Sequence, residues 1–509
     1  MIPAAELQAD VAVLRRAYEQ LHPGLYRYNT KEQTDANFAA LNGEFDRDRT
    51  LADAYLAFSV FLAKVKCGHT YANFYNQPKA IANALFKGQN RLPFYFRWLD
   101  GRMIVVKSFV DAPQMKPGTE IVSINGFAAK NILRKLMTIA RADGSNDAKR
   151  IAYLEVVGND KYEAFDIYFP LFFPLPSTGF KLTVKPFGAK KTSDVNVTAL
   201  TYEQRLAAMS VKDASTKTAQ KVFDLRHLDA KTAVLTMPTW ALYDSKWGWK
   251  KFIDDSIDEL IAKNIPNLII DIRANEGGND VGDVIVARLI DKEILRSSLA
   301  RLVKYRKAPA DLVPYLDTWD RSFDDWGDAA INRGDGFFTL KQSDDTAGGS
   351  VITPSGKRYT GRVFVLISAV NSSATFQFAS LVKANRLATL VGQPTGGNQR
   401  GITGGAFYFL RLPNSKIEMD LPLIGRYPSA VNVPDGGLQP DIYVKPNVAD
   451  IARGLDPDIE KVKKIIKTRL TKAKNENEPA NPQNVVRMVR QITKNSWILS
   501  NTQTNDLFR

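Results

Sequence analysis

Two short segments of this chain carry residues whose types and spacing suit nucleophilic chemistry. The first, Asn371-Ser372-Ser373-Ala374, follows an apolar run typical of a buried strand and precedes a helical pattern that reaches Val382. A hydroxyl at such a turn lies near unpaired helix N–H groups, which favour a developing negative charge. The turn would therefore place a serine nucleophile, although an ordinary helix N-cap uses the same residue types.

The second segment, residues 266–282, contains an apolar run from Leu268 to Ile272 that is interrupted only by Asp271. This pattern predicts a strand buried on both faces, and hence a parallel sheet. The strand ends in Asn275-Glu276-Gly277-Gly278, where paired glycines let the backbone approach a ligand closely and aim N–H groups at an oxyanion. A phosphate cradle is disfavoured, because the segment has neither Gly-Lys-Ser/Thr nor Gly-x-Gly-x-x-Gly.

Together these residues resemble the C-terminal processing (tail-specific) serine protease family, whose relatives include tricorn-type proteases and the retinoid-binding repeats of the eye. The resemblance covers residues 232–444 well. It rests on three motifs in order, namely Asp271-x-Arg273-x-Asn275-x-Gly277-Gly278, Ser373-Ala374-Thr375 and Gly392-Gln393-Pro394-Thr395-Gly396-Gly397. It implies a serine peptidase with a crotonase/Clp-protease-like α/β core, a protein or peptide substrate, and no metal or cofactor.

The general base departs from the usual pattern of that family. Typical members use a lysine shortly after the serine, and Asn398 stands at that position here. A serine nucleophile needs a base, and tricorn-like relatives take a histidine from an upstream segment, which Gly68-His69-Thr70 matches. A histidine after a helix is also a common structural cap. Of the other two histidines, His227 is a weaker candidate, and His22 could line the same cleft.

The resemblance also implies the remaining groups of the site. Ser372 is the main alternative nucleophile, but the alignment of the following helix favours Ser373. The expected catalytic residues are Ser373, His69 and Asp435, with Glu418 as an alternative acid, and the expected oxyanion hole is formed by the N–H of Ala374 and that of Gly277 or Gly278.

Composition limits the other classes of function. The chain has 509 residues, 44% of them hydrophobic, which is typical of a globular protein of about two to four domains. No apolar run approaches the length of about 18 residues that a membrane span needs. The net charge of +15 suggests nucleic acid binding, but it is concentrated in residues 185–191 and 461–474 without interleaved aromatics. We interpret these as solvated surfaces and expect no nucleic acid partner.

The pattern of elements predicts four regions. Residues 1–90 form an N-terminal helical domain that carries His69. Residues 91–200 form a PDZ-like β module, since Gly118–Gly126 resembles the PDZ signature, with an insertion in residues 140–176. Residues 201–450 form the catalytic α/β core, in which residues 311–349 are an insertion near the substrate cleft. Residues 451–509 form a C-terminal helix and a basic flexible tail, with a further helix from Val485 to Thr493.

Compartment and alternative functions complete the predictions. The N-terminus has neither a basic nor an apolar leader region, so the protein is either cytosolic or lacks its signal peptide in this sequence. The family resemblance favours a periplasmic or secreted setting. The single Cys67 excludes an internal disulfide. Two alternatives stay open: an inactive relative that binds a hydrophobic ligand or peptide in the same cleft, and a scaffold that acts through the PDZ-like groove and the basic tail.

Overall fold

The computed structural model describes residues 1–173, 179–209, 221–297, 299–341, 351–430 and 432–477. Internal contacts divide the chain into two units, Met1–Asp456 and Pro457–Arg509. The predicted helix Val485–Thr493 and residues 478–483 of the predicted flexible segment lie outside the described residues.

The chain begins with four helices, α1 (Ala4–Leu21), α2 (Lys31–Glu44), α3 (Leu51–Lys64) and α4 (Lys79–Phe86). Helix α3 has a side-chain N-cap, because the Thr50 hydroxyl accepts the N–H of Asp53 at 3.1 Å. The apolar face of α3 is buried, and the helix ends four residues before Gly68. Its length and position therefore determine where Gly68-His69 emerges.

An antiparallel sheet of six strands follows, and all of its strand pairs are antiparallel. The strands are β1 (Phe94–Leu99), β2 (Arg102–Ser108), β3 (Glu120–Ile124), β4 (Phe127–Ala128), β5 (Gly179–Lys185) and β6 (Ser193–Thr198). Three helices lie between β4 and β5, namely α5 (Ala129–Leu136), α6 (Asp147–Tyr153) and α7 (Ala164–Phe172). The predicted insertion of residues 140–176 thus contains α6 and α7. Its last three residues, 174–176, lie outside the described residues.

The rest of the first unit alternates strands and helices. In chain order its elements are α8 (Tyr202–Ala207), β7 (Asp224–Asp229), β8 (Thr232–Thr236), α9 (Trp249–Ala262), β9 (Asn267–Asp271), α10 (Val281–Ala287), β10 (Ile294–Leu295), β11 (Ala300–Val303), β12 (Leu316–Asp317), β13 (Ala330–Asn332), β14 (Phe338–Leu340), β15 (Val351–Ile352), β16 (Arg362–Ile367), α11 (Ser373–Ala384), β17 (Thr389–Gly392), β18 (Phe407–Arg411), β19 (Glu418–Pro422), β20 (Gly425–Tyr427), β21 (Ile442–Tyr443) and α12 (Val448–Arg453).

The predicted parallel sheet is present, in the strand order β21-β17-β16-β9-β8-β7, and only β7 runs antiparallel to its neighbour. Strands β9 and β16 lie side by side at its centre, with Val365 opposite Ile270 and Leu366 opposite Asp271. Because the two strands are parallel, their carboxyl ends meet at one edge of the sheet. The turns that follow them, which carry Gly277 and Ser373, are therefore neighbours.

Smaller sheets surround this core. Strands β13, β14, β11 and β20 form one, and β12, β18 and β19 form another. The predicted insertion of residues 311–349 supplies β12, β13 and β14 in its described part, so it is built into both sheets. The described part of the second unit is helix α13 (Pro457–Asn477). Among the described helices, none is at once long and apolar enough to span a bilayer.

Helix α1 is joined to the β18–β19 hairpin by a buried carboxylate. Asp10 accepts the N–H of Asn414 at 2.9 Å, the Nδ2 of Asn414 at 2.9 Å and the N–H of Ser415 at 2.8 Å. Tyr18 on the same helix donates its hydroxyl to the carbonyl of Asp420 at 2.9 Å. The N-terminal helices are thus tied to the turn and strand of the hairpin by polar contacts as well as by apolar packing.

We expect Asp10→Ala to lower the free energy of unfolding by about 1–3 kcal/mol, because it leaves buried donors without an acceptor. The measurement is the midpoint of urea unfolding. The matched control is Asp46→Ala, whose 65% exposed side chain pairs only with Arg49 and is expected to change stability by less than about 0.5 kcal/mol. Equal midpoints for the two variants would contradict this account of the interface.

Candidate active site

The turn between β16 and α11 holds Ser373 in a conformation that residues with a side chain rarely adopt. Its φ is +50°, whereas the preceding Ser372 is extended with φ −135°. Such a left-handed backbone costs about 1–3 kcal/mol and is concentrated at functional sites. The Ser372 hydroxyl donates to the carbonyl of Glu276 at 3.1 Å. Among the described residues, the Ser373 hydroxyl has no hydrogen-bond partner.

The buried side chain of Asn371 holds this turn against its neighbours. Its Nδ2 donates to the carbonyls of Ile272 at 2.5 Å and Asn275 at 3.0 Å, and its Oδ1 accepts the N–H of Ser368 at 2.7 Å. Its own carbonyl accepts the N–H groups of Gly396 and Gly397. One residue therefore joins the loop after β9, the turn after β16 and the loop after β17.

Gly277 and Gly278 lie against the serine turn with φ of +121° and +132°. A Cβ on Gly277 would lie 2.9 Å from the Cβ of Ser373, and one on Gly278 would lie 2.2 Å from the carbonyl oxygen of Trp240. Neither position has room for a side chain.

The N–H groups at this point differ in their availability. The N–H of Gly277 donates to the Oδ1 of Asn275 at 3.0 Å. Within the described residues, the N–H groups of Gly278 and Ala374 have no backbone acceptor. Of the two glycines expected in an oxyanion hole, Gly278 is therefore the one with a free donor.

His69 lies in the same neighbourhood. With Ser372 it lines a small cleft, whose other lining residues are Gly68, Ala142, Asp143, Lys149 and Gly396. The imidazole is half-buried, and its edge meets the ring of Phe407, with centroids 5.7 Å apart. Its Nδ1 is buried without a hydrogen-bond partner in the described part of the chain. The fold thus brings the end of α3 to the serine turn.

The protonation of His69 depends on burial and on the neighbouring charges. Burial lowers the pKa of His69, and the Asp143 carboxylate opposes this effect. The net direction is downward from the ordinary value of 6.5. The ring is therefore neutral at neutral pH and can accept a proton.

The two other histidines are engaged elsewhere. His22 is buried, its Nδ1 accepts the N–H of Gly24, and its Nε2 donates to the Thr70 hydroxyl at 3.0 Å. Burial lowers the pKa of His22 to about 3, so it stays neutral and supports the segment after His69. His227 lies on β7 and bonds to Glu259 at 2.8 Å. It is distant from the serine turn in sequence and, among the described residues, makes no hydrogen bond to it.

The two carboxylates expected from the sequence have other partners. Asp435 accepts the N–H of Ser145 at 3.0 Å and the Nδ2 of Asn398 at 2.7 Å. Glu418 pairs with the guanidinium of Arg411 at 2.7 Å. Among the described residues, no hydrogen bond joins either acid to His69.

Asp143 is a carboxylate that the sequence did not indicate. Its Oδ1 accepts the N–H of Gly68 at 2.9 Å, and a Cβ on Gly68 would lie 2.8 Å from its Oδ2. The carboxylate therefore fills the space that a side chain at position 68 would occupy, directly beside His69. The Nδ2 of Asn398 donates to the Asp143 carbonyl at 3.0 Å. Asp143 belongs to no recognisable motif, and the unusual length of the insertion around it was the only sequence signal.

An ion pair between the buried Lys149 of the same insertion and the more exposed Glu276 was also missed. The Nζ of Lys149 bonds to the Glu276 carboxylate and to the carbonyl of Val370, and Arg141 lies 3.3 Å from Glu276. Burial raises the pKa of Glu276, but the charges of Lys149 and Arg141 outweigh this and hold it at about 2. Lys149 thus ties the glycine loop to the serine turn. In the described part of the chain, no group of acids, histidines and cysteines is arranged to hold a metal ion.

These features can be compared with known proteins. Residues 231–460 match the model of peptidase family S41. The fold of the chain is similar to that of mature CPAF complexed with lactacystin, with a TM-score of 0.62 and 16% sequence identity over 93% of this chain and 99% of that one. A second structure of mature CPAF gives a TM-score of 0.59 and 14% identity over 94% and 99% of the two chains. A comparison with curated protein sequences finds no match.

The S41 match bears on the sequence predictions. The predicted resemblance to C-terminal processing proteases is supported over residues 231–460, which match the S41 model. The mixed α/β content agrees with the fold of the CPAF structures. At 14–16% identity the CPAF structures show the fold alone.

We expect Asn371→Ala to lower the free energy of unfolding of the protein by about 2–4 kcal/mol, because the variant leaves buried backbone groups of three loops without partners. Urea unfolding measures the effect. Asn385→Ala is the matched control, since its Nδ2 bonds only to the exposed C-terminal turn of α11. A midpoint for Asn371→Ala as high as that of the control would refute the role of Asn371.

Proposed function

We propose that the protein is a serine peptidase in which Ser373 is the nucleophile and His69 is the general base. The observation that carries the proposal is the strained Ser373, whose free hydroxyl belongs to the turn that packs against Gly277, while the N–H groups of Gly278 and Ala374 are unpaired within the described residues. A substrate carbonyl that met the hydroxyl at this turn would place its oxygen near those donors. This combination is what acyl transfer to a serine requires.

The reaction would proceed in two stages. The Ser373 hydroxyl attacks the scissile carbonyl while His69 accepts its proton, and His69 then returns the proton to the leaving amine. Water hydrolyses the acyl-enzyme with His69 again acting as the base. The N–H groups of Gly278 and Ala374 stabilise the oxyanion in both stages, and a donor of this kind typically contributes about 10²–10³ in rate. Gly277 contributes its small size, because its own N–H is bound to Asn275.

Asp143 is the carboxylate best placed to support His69. It lines the same cleft, lies against Gly68, and raises the pKa of the imidazole against the effect of burial. A negative charge at this position stabilises the imidazolium that forms when Ser373 loses its proton. Asp435 supports the arrangement from further out, because it holds Asn398, which in turn binds the Asp143 carbonyl.

Binding without hydrolysis is the second candidate function. It is favoured by one observation, that Asn398 stands where typical family members carry the basic lysine. Asn398 is fully buried and its amide is used in structural hydrogen bonds. If His69 does not act as the base, the cleft would retain only the capacity to hold a peptide or a hydrophobic ligand.

A fluorophosphonate probe separates the two functions, because it reacts with activated serines. We expect the wild-type protein to be labelled in a 1:1 ratio at residue 373, as determined by intact mass and peptide mapping. Labelling is expected to be lost in Ser373→Ala and kept in Ser372→Ala, the matched neighbour whose hydroxyl is bound to Glu276. Absence of labelling in the wild type supports the binding protein, and labelling at Ser372 would contradict our choice of nucleophile.

The pH dependence of peptide hydrolysis tests His69 and Asp143. The pKa of His69 is lowered by burial, so the acidic limb of kcat/KM should lie below pH 6.5, with activity lost as the ring becomes protonated. Asp143→Asn removes the charge that raises this pKa. The limb should therefore move to still lower pH, and kcat should fall by about 10- to 100-fold.

Asp435→Asn is the control for that experiment, because Asp435 bonds to Asn398 and Ser145 rather than to the imidazole. We expect it to leave the position of the acidic limb unchanged. A limb that moved with Asp435 and not with Asp143 would reassign the acid to the residue that the sequence indicated.

A further inference from the structure

An exposed cluster of aromatic rings begins at His69 and leads outward. We call it the aromatic patch and define it as Phe407, Phe409, Trp319 and Phe323. The ring of Phe407 lies 5.7 Å from that of His69 and 5.8 Å from that of Trp319. Trp319 also lies 5.7 Å from Phe409 and 5.6 Å from Phe323, all between ring centroids. The patch is thus continuous with the imidazole of the proposed active site.

Phe323 packs against the apolar core, whereas the other three rings of the patch lie outside it. Along β18, Tyr408 and Leu410 are buried, while Phe407 and Phe409 on the other face are only half-buried. The Trp319 side chain is 60% exposed. A contiguous exposed aromatic surface is unusual and commonly marks a site of interaction.

The backbone holds the patch in place. Asp317 on β12 pairs with Phe409 on β18, and the Thr318 hydroxyl donates to the carbonyl of Phe407 at 2.9 Å. The segment that carries Trp319 is therefore fixed to the strand that carries the ring beside His69. Because these rings are already held in place, they lose little conformational entropy when a ligand packs on them, which favours binding.

The surface around the patch is acidic. Six aspartates and a single arginine lie between Asp311 and Asp328, in a chain whose net charge is +15. The arginine, Arg321, lies 3.6 Å from both Asp317 and Asp324, and Asp311 and Asp328 pair with arginines from other segments. Among the described residues, Asp320 and Asp325 have no ion-pair partner, and these two exposed carboxylates complement a ligand with positive charge.

We propose that the aromatic patch is a substrate subsite, which takes a large apolar side chain next to the scissile bond from peptide segments that carry basic residues nearby. This rests on the proposed function, since the position beside His69 is what places the side chain near the reacting carbonyl. The rings supply the apolar contact, and the unpaired carboxylates of Asp320 and Asp325 attract the neighbouring lysine or arginine side chains.

The test compares three internally quenched peptides cleaved by the full-length protein. The bond to be cleaved is first mapped by mass spectrometry in a peptide library. The first peptide has phenylalanine beside that bond and lysines nearby, the second replaces the phenylalanine by alanine, and the third replaces the lysines by glutamates. We expect the first to have the highest kcat/KM, and the advantage of its lysines to shrink at high salt because the charges are exposed.

Trp319→Ala is expected to reduce the phenylalanine-to-alanine ratio of kcat/KM by about tenfold, since a pocket contact of this size discriminates by roughly 10- to 200-fold. Trp319→Phe should retain most of the ratio. The matched control is Phe187→Ala, which removes a 50% exposed aromatic from the segment between β5 and β6 and should leave the ratio unchanged.

The rate of fluorophosphonate labelling at Ser373 distinguishes failure of the subsite from failure of the proposed function. Equal ratios in the wild type and Trp319→Ala, with labelling intact in both, would overturn the subsite and leave the peptidase standing. Absence of labelling in the wild type would overturn the peptidase itself. Sedimentation velocity tests whether a second copy of the chain covers the patch. A wild-type dimer that dissociates in Trp319→Ala would show that the patch binds a second copy and not a substrate.

Discussion

The candidate site depends on one buried amide. Asn371 cannot be removed from water without partners, and it finds them in the carbonyls of Ile272 and Asn275 and the N–H of Ser368. Its backbone carbonyl holds Gly396 and Gly397 in addition. Since unsatisfied buried polar groups are costly, three loops that follow three parallel strands have only one mutual arrangement that satisfies them all. The left-handed Ser373 is stable because these contacts over-determine the turn around it.

The other side chains of the candidate site come from segments that are distant from this turn in sequence. His69 arrives at the end of a helix, and Asp143 and Lys149 arrive on the insertion between β4 and β5. Asn146 joins that insertion to the turn after β17, because its Nδ2 bonds to the carbonyls of Thr395 and Gly397 at 3.0 and 2.8 Å. Apart from the Lys149–Glu276 ion pair, each of these contacts joins a side chain to a backbone group. The geometry of the site therefore depends on these few polar side chains and on the length of the connecting segments.

The sequence predicts those elements that are specified by patterns of neighbouring residues. The strand-turn-helix around Ser373 and the double glycine after β9 follow from periodicity, capping and glycine placement, and the parallel order of β9 and β16 follows from their unbroken apolar character. The carboxylate beside His69 could not be predicted from such patterns. Asp143 is an aspartate in an irregular segment, and only the tertiary approach of that segment to Gly68 gives it a special environment. The aromatic patch likewise joins residues from β12 and β18, whose pairing no local pattern specifies.

The electrostatic balance around His69 explains why this arrangement suits a base other than lysine. A lysine base has to be neutral. Lys149 is hydrogen-bonded to the serine turn, but it donates to the Glu276 carboxylate as well as to the carbonyl of Val370. Its charge is used to anchor the glycine loop. Burial keeps the imidazole of His69 neutral without any such competition, and the Asp143 carboxylate limits how far its pKa falls. In the proposed mechanism the cation and the base are thus two different residues, so Lys149 can anchor the glycine loop while His69 exchanges the proton.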